Sequence, residues 1–144
     1  MNELKKHDAL FARLGVCSLV SGLILYLLFR ENTYIARIVT LVVPLQFLRE
    51  KLHFIKCEFL QFYFPDYLWA FSLSCWLHIV LNVRRHCTWC CTMIVLCFGA
   101  VYELFQYLSL IEGTGDVVDV LLYLLAGLSV NIIYLKKEKK NEKG

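Results

Sequence analysis

Four apolar runs are separated along the chain by one long mixed segment and two short polar turns. The first, "LGVCSLVSGLILYLLF", covers Leu14 to Phe29. With Ala9 to Ala12 it reaches roughly 20 residues, enough to span a bilayer as a helix. No small-residue cleavage site follows it, so the expectation is an uncleaved first helix rather than a signal peptide. The second run is Tyr67 to Val83, the third Cys87 to Ile111 and the fourth Val117 to Leu135. The pattern predicts spans at about 10–29, 67–83, 88–111 and 117–135. "RRH" at 84–86 is a short turn, and "EGTGD" at 112–116 is a tight one in which Gly113 and Gly115 can take positive φ.

Residues 30–66 are mixed. "YIARIVTLVVPLQFL" is only about 15 residues long, holds Arg37 and is cut by Pro44, which is short for a crossing. "REKLHFIKCEFLQFYF" places Leu48, Leu52, Ile55 and Phe59 at helical spacing, with Lys51 and Lys56 between them. An amphipathic surface segment over about 34–64 fits both stretches. The competing reading is a fifth transmembrane helix at 34–48.

Composition supports a membrane protein. Of 144 residues, 59% are hydrophobic and 19% charged, against roughly 45–50% and 25% in typical soluble chains. The predicted fold class is all-α: a polytopic membrane helical bundle of four transmembrane helices plus the amphipathic surface segment, in one domain over 1–144. The seven cysteines mostly lie inside apolar runs, where Cys behaves as a small hydrophobe.

Charge sets the expected orientation. Lys5, Lys6 and Arg13 precede or open the first run, Arg84 and Arg85 form the middle turn, and Lys136, Lys137, Lys139, Lys140 and Lys143 close the chain. Because each cluster abuts an apolar run, the reading is topological and no nucleic-acid partner is expected. Four spans with both termini cytoplasmic put all three clusters inside, as the positive-inside bias requires. A fifth span would force the basic turn or the lysine tail outside.

The chemistry concentrates in "YELFQYLSLIEGTGDVVDVLLYLL", residues 102–125. It holds Glu103, Glu112, Asp116 and Asp119, four of the chain's twelve carboxylates. An acid in hydrocarbon costs at least roughly 2.5 kcal/mol, so it normally faces the bundle interior or water. Glu103 sits roughly 13 Å before the turn at helical rise, with the small residues Gly99 and Ala100 one turn earlier on its face. Small residues let helices approach closely, so Glu103 is expected to point into the bundle, with Gln106 one turn later. On the next helix Asp119 and Tyr123 share a face that continues to Ala126 and Gly127.

Plainer readings stand beside these. Asp116 is a plausible N-cap with Asp119 as its N3 acid. Glu103 lies too deep for a cap, and its plain reading is a buried hydrogen bond to Gln106 or Tyr123. Asp66, in "FPDYLW", reads as a helix-opening cap. Arg30 ends the first helix and could pair with an acid or bind an anion. Ser74, His78 and Asn82 form a polar stripe that reads as interhelical hydrogen bonding. "HCTWCC" at 86–91 has zinc-type ligands but no second pair at finger spacing, so no metal site is assigned. No Walker loop, Gly-x-Gly-x-x-Gly, HExxH or Gly-x-Ser-x-Gly motif occurs, no catalytic residue is assigned, and no cofactor is expected.

"YELFQ" followed by "GTGDVVDVLLYLLAG" resembles the carboxy-terminal signature of VanZ-like membrane proteins: a Glu-x-x-Gln helix, a short loop, and an Asp-x-x-Asp helix ending in glycine. The matching residues are Glu103, Gln106, Asp116, Asp119 and Gly127. "SGLILYLLFREN" and "FPDYLWAFSL" also resemble a small bacterial branch sometimes labelled a magnesium citrate secondary transporter. Thr114 or Gly115 stands where many VanZ-like proteins carry an arginine, and Tyr123 where many carry an asparagine. The resemblance implies a bacterial inner (plasma) membrane location, a place in the cell envelope and an association with glycopeptide (teicoplanin) antibiotic resistance.

The resulting expectation is an outward-facing acidic pocket of Glu103, Gln106, Asp116, Asp119 and Tyr123, with Asp66 and Arg30, set in the lipid bilayer. It would bind an envelope precursor or a cation. The alternatives are a proton- or divalent-cation-coupled transporter subunit, working as a homo-oligomer, and a non-catalytic membrane scaffold.

Overall fold

The computed structural model describes residues 2–29, 59–81, 88–111 and 115–141, together with 38, 39 and 47. Four α-helices run through these residues: α1 (Asn2–Phe29), α2 (Phe64–Val80), α3 (Thr88–Tyr107) and α4 (Val117–Asn141). A π-helical turn, Phe59–Tyr63, leads directly into α2. No strand occurs among the described residues, and the fold is all-α. Three stretches, Asp8–Phe29, Thr88–Tyr107 and Val117–Lys139, are long and apolar enough to cross a membrane, consistent with a multi-pass membrane protein. Arg30, Asn82 and the expected surface segment apart from residues 38, 39, 47 and 59–64 lie outside the described residues, and so does the competing helix at 34–48 apart from residues 38, 39 and 47.

The helix boundaries depart from the apolar runs for local reasons. The helix expected at 67–83 is observed at 64–80. Its cap position is Tyr63, which makes no side-chain capping bond, and Pro65 sits in the first turn, where its missing N–H leaves nothing unsatisfied. Asp66 is therefore not the cap. It lies inside the first turn, where a carboxylate is favoured by the helix dipole.

The third helix stops at Tyr107 rather than 111, because the chain turns left-handed at Ser109 (φ 56°). Leu110 N–H donates to Phe105 O and Ser109 N–H to Gln106 O, both at 2.9 Å. That pair of bonds is the Schellman termination, with serine at the position usually held by glycine. The fourth helix runs past Leu135 to Asn141. Its Lys and Glu residues are good helix formers, and no Gly or Pro interrupts them before that point.

Side-chain contacts fix the directions. Ser72 Oγ donates to Gly15 O at 2.8 Å, Tyr26 packs on Trp69, and Phe11 stacks on His78, so α1 and α2 run antiparallel. Glu103 meets Tyr123 while Thr92 meets Asn131, so α3 and α4 are also antiparallel. Tyr63 meets Asp116 and His78 meets Asn131, so α2 and α4 run parallel. These two form the centre, with α1 against α2 and α3 against α4.

Close approach depends on small side chains. A Cβ on Gly127 would lie 3.1 Å from Thr92 Cα, so α3 and α4 are nearly in backbone contact there. Ala126 and Val130 are fully buried on the same helix. Trp69 and Trp76, expected at interface or bundle positions, pack over Gly22 and Gly15 of α1. Val16, Leu19, Val20, Leu23 and Ile24 on α1, and Phe98, Val101, Tyr102 and Phe105 on α3, are exposed. Lipid tails are as apolar as these side chains, so the surface suits a bilayer.

Candidate functional site

The acids meet at one end of the bundle, around the start of α4. Asp116 is the N-cap of that helix: its Oδ1 accepts the N–H of Val118 at 2.9 Å. This agrees with the capping pattern of Asp-x-x-Asp. In a capping box the N3 acid would then accept the N–H of the cap residue itself. Here that bond goes elsewhere. Asp116 N–H donates to Glu103 Oε2 at 3.0 Å, and Glu103 belongs to α3. The expectation that Glu103 lies too deep to serve as a cap is thus corrected. Its own helix ends four residues later at Tyr107, which brings the start of α4 back to its level.

The other Glu103 oxygen is also engaged. Tyr123 Oη donates to Oε1 at 2.9 Å. Gly99, one turn before Glu103, makes this possible, because a Cβ at that position would fall inside the Tyr123 ring. Glycine lets the phenol lie flat on α3 and aim its hydroxyl at the next turn. Glu103 is 6% exposed, and both of its oxygens accept hydrogen bonds, as a buried acid requires.

Two further helical elements contribute. Tyr63, in the π-turn, donates its hydroxyl to Asp116 Oδ2 at 3.1 Å. Asp66 in α2, Glu103 in α3 and Asp119 in α4 all lie close enough for their charges to bear on the Tyr123 hydroxyl. Asp66, Asp116 and Asp119 are half-buried, and Glu103 is buried. The result is a layer of four carboxylates from three helices, stitched by two tyrosines.

Of the residues singled out from sequence, Glu103, Asp116 and Tyr123 are joined by direct bonds, and Asp66 and Asp119 border them. Gln106 is half-buried one turn after Glu103, and its carbonyl takes part in ending α3. Arg30 lies outside the described residues. Tyr63 was not anticipated. Its signal is weak, one aromatic among several in "EFLQFYFPDY". In "HCTWCC", Cys90 is exposed and Cys91 buried. Among the described residues no group of three or more His, Cys, Asp or Glu is placed to hold a metal ion.

No family model, curated protein or solved structure matches the chain.

Proposed function

We propose that the chain is a VanZ-like bacterial inner-membrane protein crossing the bilayer four times, with its acidic layer facing outward to bind a cationic group of an envelope component. The observation that carries this reading is the direct linkage of Glu103 to Asp116 and Tyr123, and of Asp116 to Tyr63, with Asp66 and Asp119 half-buried in the first turns of α2 and α4. Like charges at close range in a low-dielectric site favour an added cation. Carboxylates from three helices suit an extended ammonium group better than a compact metal site.

Helix direction supports four crossings. The end of α1 packs near the start of α2 through Tyr26 and Trp69. The chain therefore leaves α1 and enters α2 at the same end, which supports a connecting segment that does not cross. α2 has 17 residues, about 25 Å at helical rise, and the π-turn lengthens it toward the roughly 30 Å of a hydrocarbon core. The exposed Arg13, Lys136 and Lys139 all belong to the opposite end from the acids, which suits acids out and bases in.

One observation favours the scaffold reading. Both Glu103 oxygens are occupied, one capping α4 and one holding Tyr123. Titration calorimetry of the protein in lipid nanodiscs separates the two, with cadaverine as an ammonium probe and magnesium as a divalent one. Binding of cadaverine that is saturable and lost in Asp66→Asn and Asp119→Asn supports the proposal. Heat indistinguishable from empty nanodiscs supports the scaffold. Proton or magnesium flux in proteoliposomes would instead identify the transporter alternative. In cells, expression should raise tolerance to teicoplanin.

A further inference from the structure

A second polar layer lies at the other end of the bundle. His78 of α2 and Asn131 of α4 are each 4% exposed, and Thr92 of α3 is fully buried. His78 Nδ1 is 2.8 Å from Ser74 O, and Nε2 is 3.1 Å from Asn131 Oδ1. Asn131 Nδ2 donates to Thr92 Oγ1 at 2.7 Å. One chain of hydrogen bonds thus ties three helices through a titratable ring.

The partners constrain the protons. A backbone carbonyl can only accept, so Nδ1 carries a hydrogen in every state. With the amide oxygen of Asn131 facing Nε2, that nitrogen must carry one too, and the ring is an imidazolium. If Nε2 is bare, the amide must turn so that its NH₂ donates to the ring. Its oxygen then faces Thr92, whose hydroxyl can reverse from acceptor to donor. Both arrangements keep all three bonds of the chain, Ser74 O to Nδ1, Nε2 to the Asn131 amide, and that amide to Thr92 Oγ1. An ordinary buried histidine loses a hydrogen bond when its charge changes, and this one does not.

The surroundings favour exchange with one side. Phe11 stacks on the ring at 5.7 Å and 8°, and Tyr134 borders it at 5.6 Å. Aromatic faces are attractive to a cation. Ala70, Val95 and Ala126 pack together between His78 and the acids, with no carboxylate or imidazole in their cluster, and Tyr67 beside them donates its Oη to Ser129 Oγ at 3.1 Å. In the other direction Tyr134 leads outward, with Asp8 of α1 and Glu138 of α4 bearing on its hydroxyl. Among the described residues, Cys75 of α2 packs in the same cluster as Phe11 and Tyr134, Asp8 of α1 and Glu138 of α4 bear on the Tyr134 hydroxyl, and on α3 the buried Cys91 stands next to Thr92 in the chain.

We propose that His78 is a reversible proton-binding site, reached from the lysine-rich end, in which Nε2 takes up a proton while Asn131 turns its amide and Thr92 reverses its hydroxyl. No other bond forms or breaks, and the positive charge stays on the ring between Phe11 and Tyr134. This site is separate from the acidic layer and does not depend on what that layer binds.

The test is nitrogen NMR of histidine-labelled protein in lipid, with His78→Gln identifying the resonance. In the wild type, the Nε2 signal should move reversibly between its bare and protonated positions, while Nδ1 remains protonated throughout. Asn131→Asp places a carboxylate against Nε2 and should raise proton affinity at least tenfold, about one pH unit. Asn131→Leu removes the acceptor and should lower it by a similar factor. A wild-type Nε2 signal unchanged between about pH 4 and 9 overturns the proposal. So does a titration with the same midpoint in Asn131→Asp. The first reading needs only the assignment of the His78 resonance, so it stands even if the Asn131 substitutions misfold.

Discussion

Glu103 and Asp116 belong to different helices, yet the side chain of the first accepts the backbone N–H of the second at 3.0 Å. An acid from α3 thereby completes the N-terminus of α4. The pairing joins a local requirement, the unsatisfied donors of a helix start, to a tertiary one, the antiparallel packing of two helices.

Glu103→Gln keeps the shape: its amide oxygen can still accept the Asp116 N–H while its NH₂ donates to the Tyr123 hydroxyl, which can turn to accept, so the loss should stay within about 1 kcal/mol. Glu103→Leu leaves both donors without a partner and should cost more. Denaturation in mixed micelles measures the order. Equal stability of wild type and Glu103→Leu would show that the bonds do not form in the membrane.

Asp116 separates capping from charge. Asp116→Asn retains a side-chain acceptor for Val118 N–H and should be nearly neutral for stability, while Asp116→Ala should lose about 1 kcal/mol. If the acidic layer binds cations, both variants weaken cadaverine binding alike. Weakening in Asp116→Ala alone would trace the effect to helix fraying.

Gly99→Ala should be among the most disruptive single-carbon changes in the chain, because its methyl would occupy the Tyr123 ring. Overpacking of this kind typically costs about 1–3 kcal/mol. Tyr123→Ala should be destabilising alone but should relieve the Gly99→Ala penalty in the double variant. Additive losses in that cycle would mean the two residues do not meet.

Orientation is open to labelling. In a background with all seven native cysteines replaced, Leu110→Cys should react with an impermeant reagent added to intact cells. Lys139→Cys should react only after permeabilisation. The reverse pattern would invert the proposed topology.

The α3–α4 hairpin was legible because "EGTGD" punctuates two apolar runs, and Glu103 was legible as inward-facing because Gly99 and Ala100 lie one turn before it on the same face. Its capping role was not legible. That role depends on where α3 stops, and it stops at Ser109 through a left-handed turn made without glycine. Asp66 was misplaced for a similar reason: the π-turn carries the helix upstream of Pro65, past the residue that looked like its start. The stripe containing Ser74 and His78 was visible, with interhelical bonding as its expected role. Its partners Thr92 and Asn131 were hidden, each one polar residue in an apolar run.

The contacts Tyr63–Asp116 and His78–Asn131 share the same sequence offset, 53 residues. They lie about 22 Å apart along the helices at 1.5 Å per residue. A piston-like slide of α2 past α4 would break both at once, whereas outward rocking of α1 or α3 leaves both intact. The central pair thus behaves as a mast. Any gating of this protein should appear as movement of the flanking helices, and spin labels on α2 and α4 should keep a constant separation while those on α1 or α3 do not.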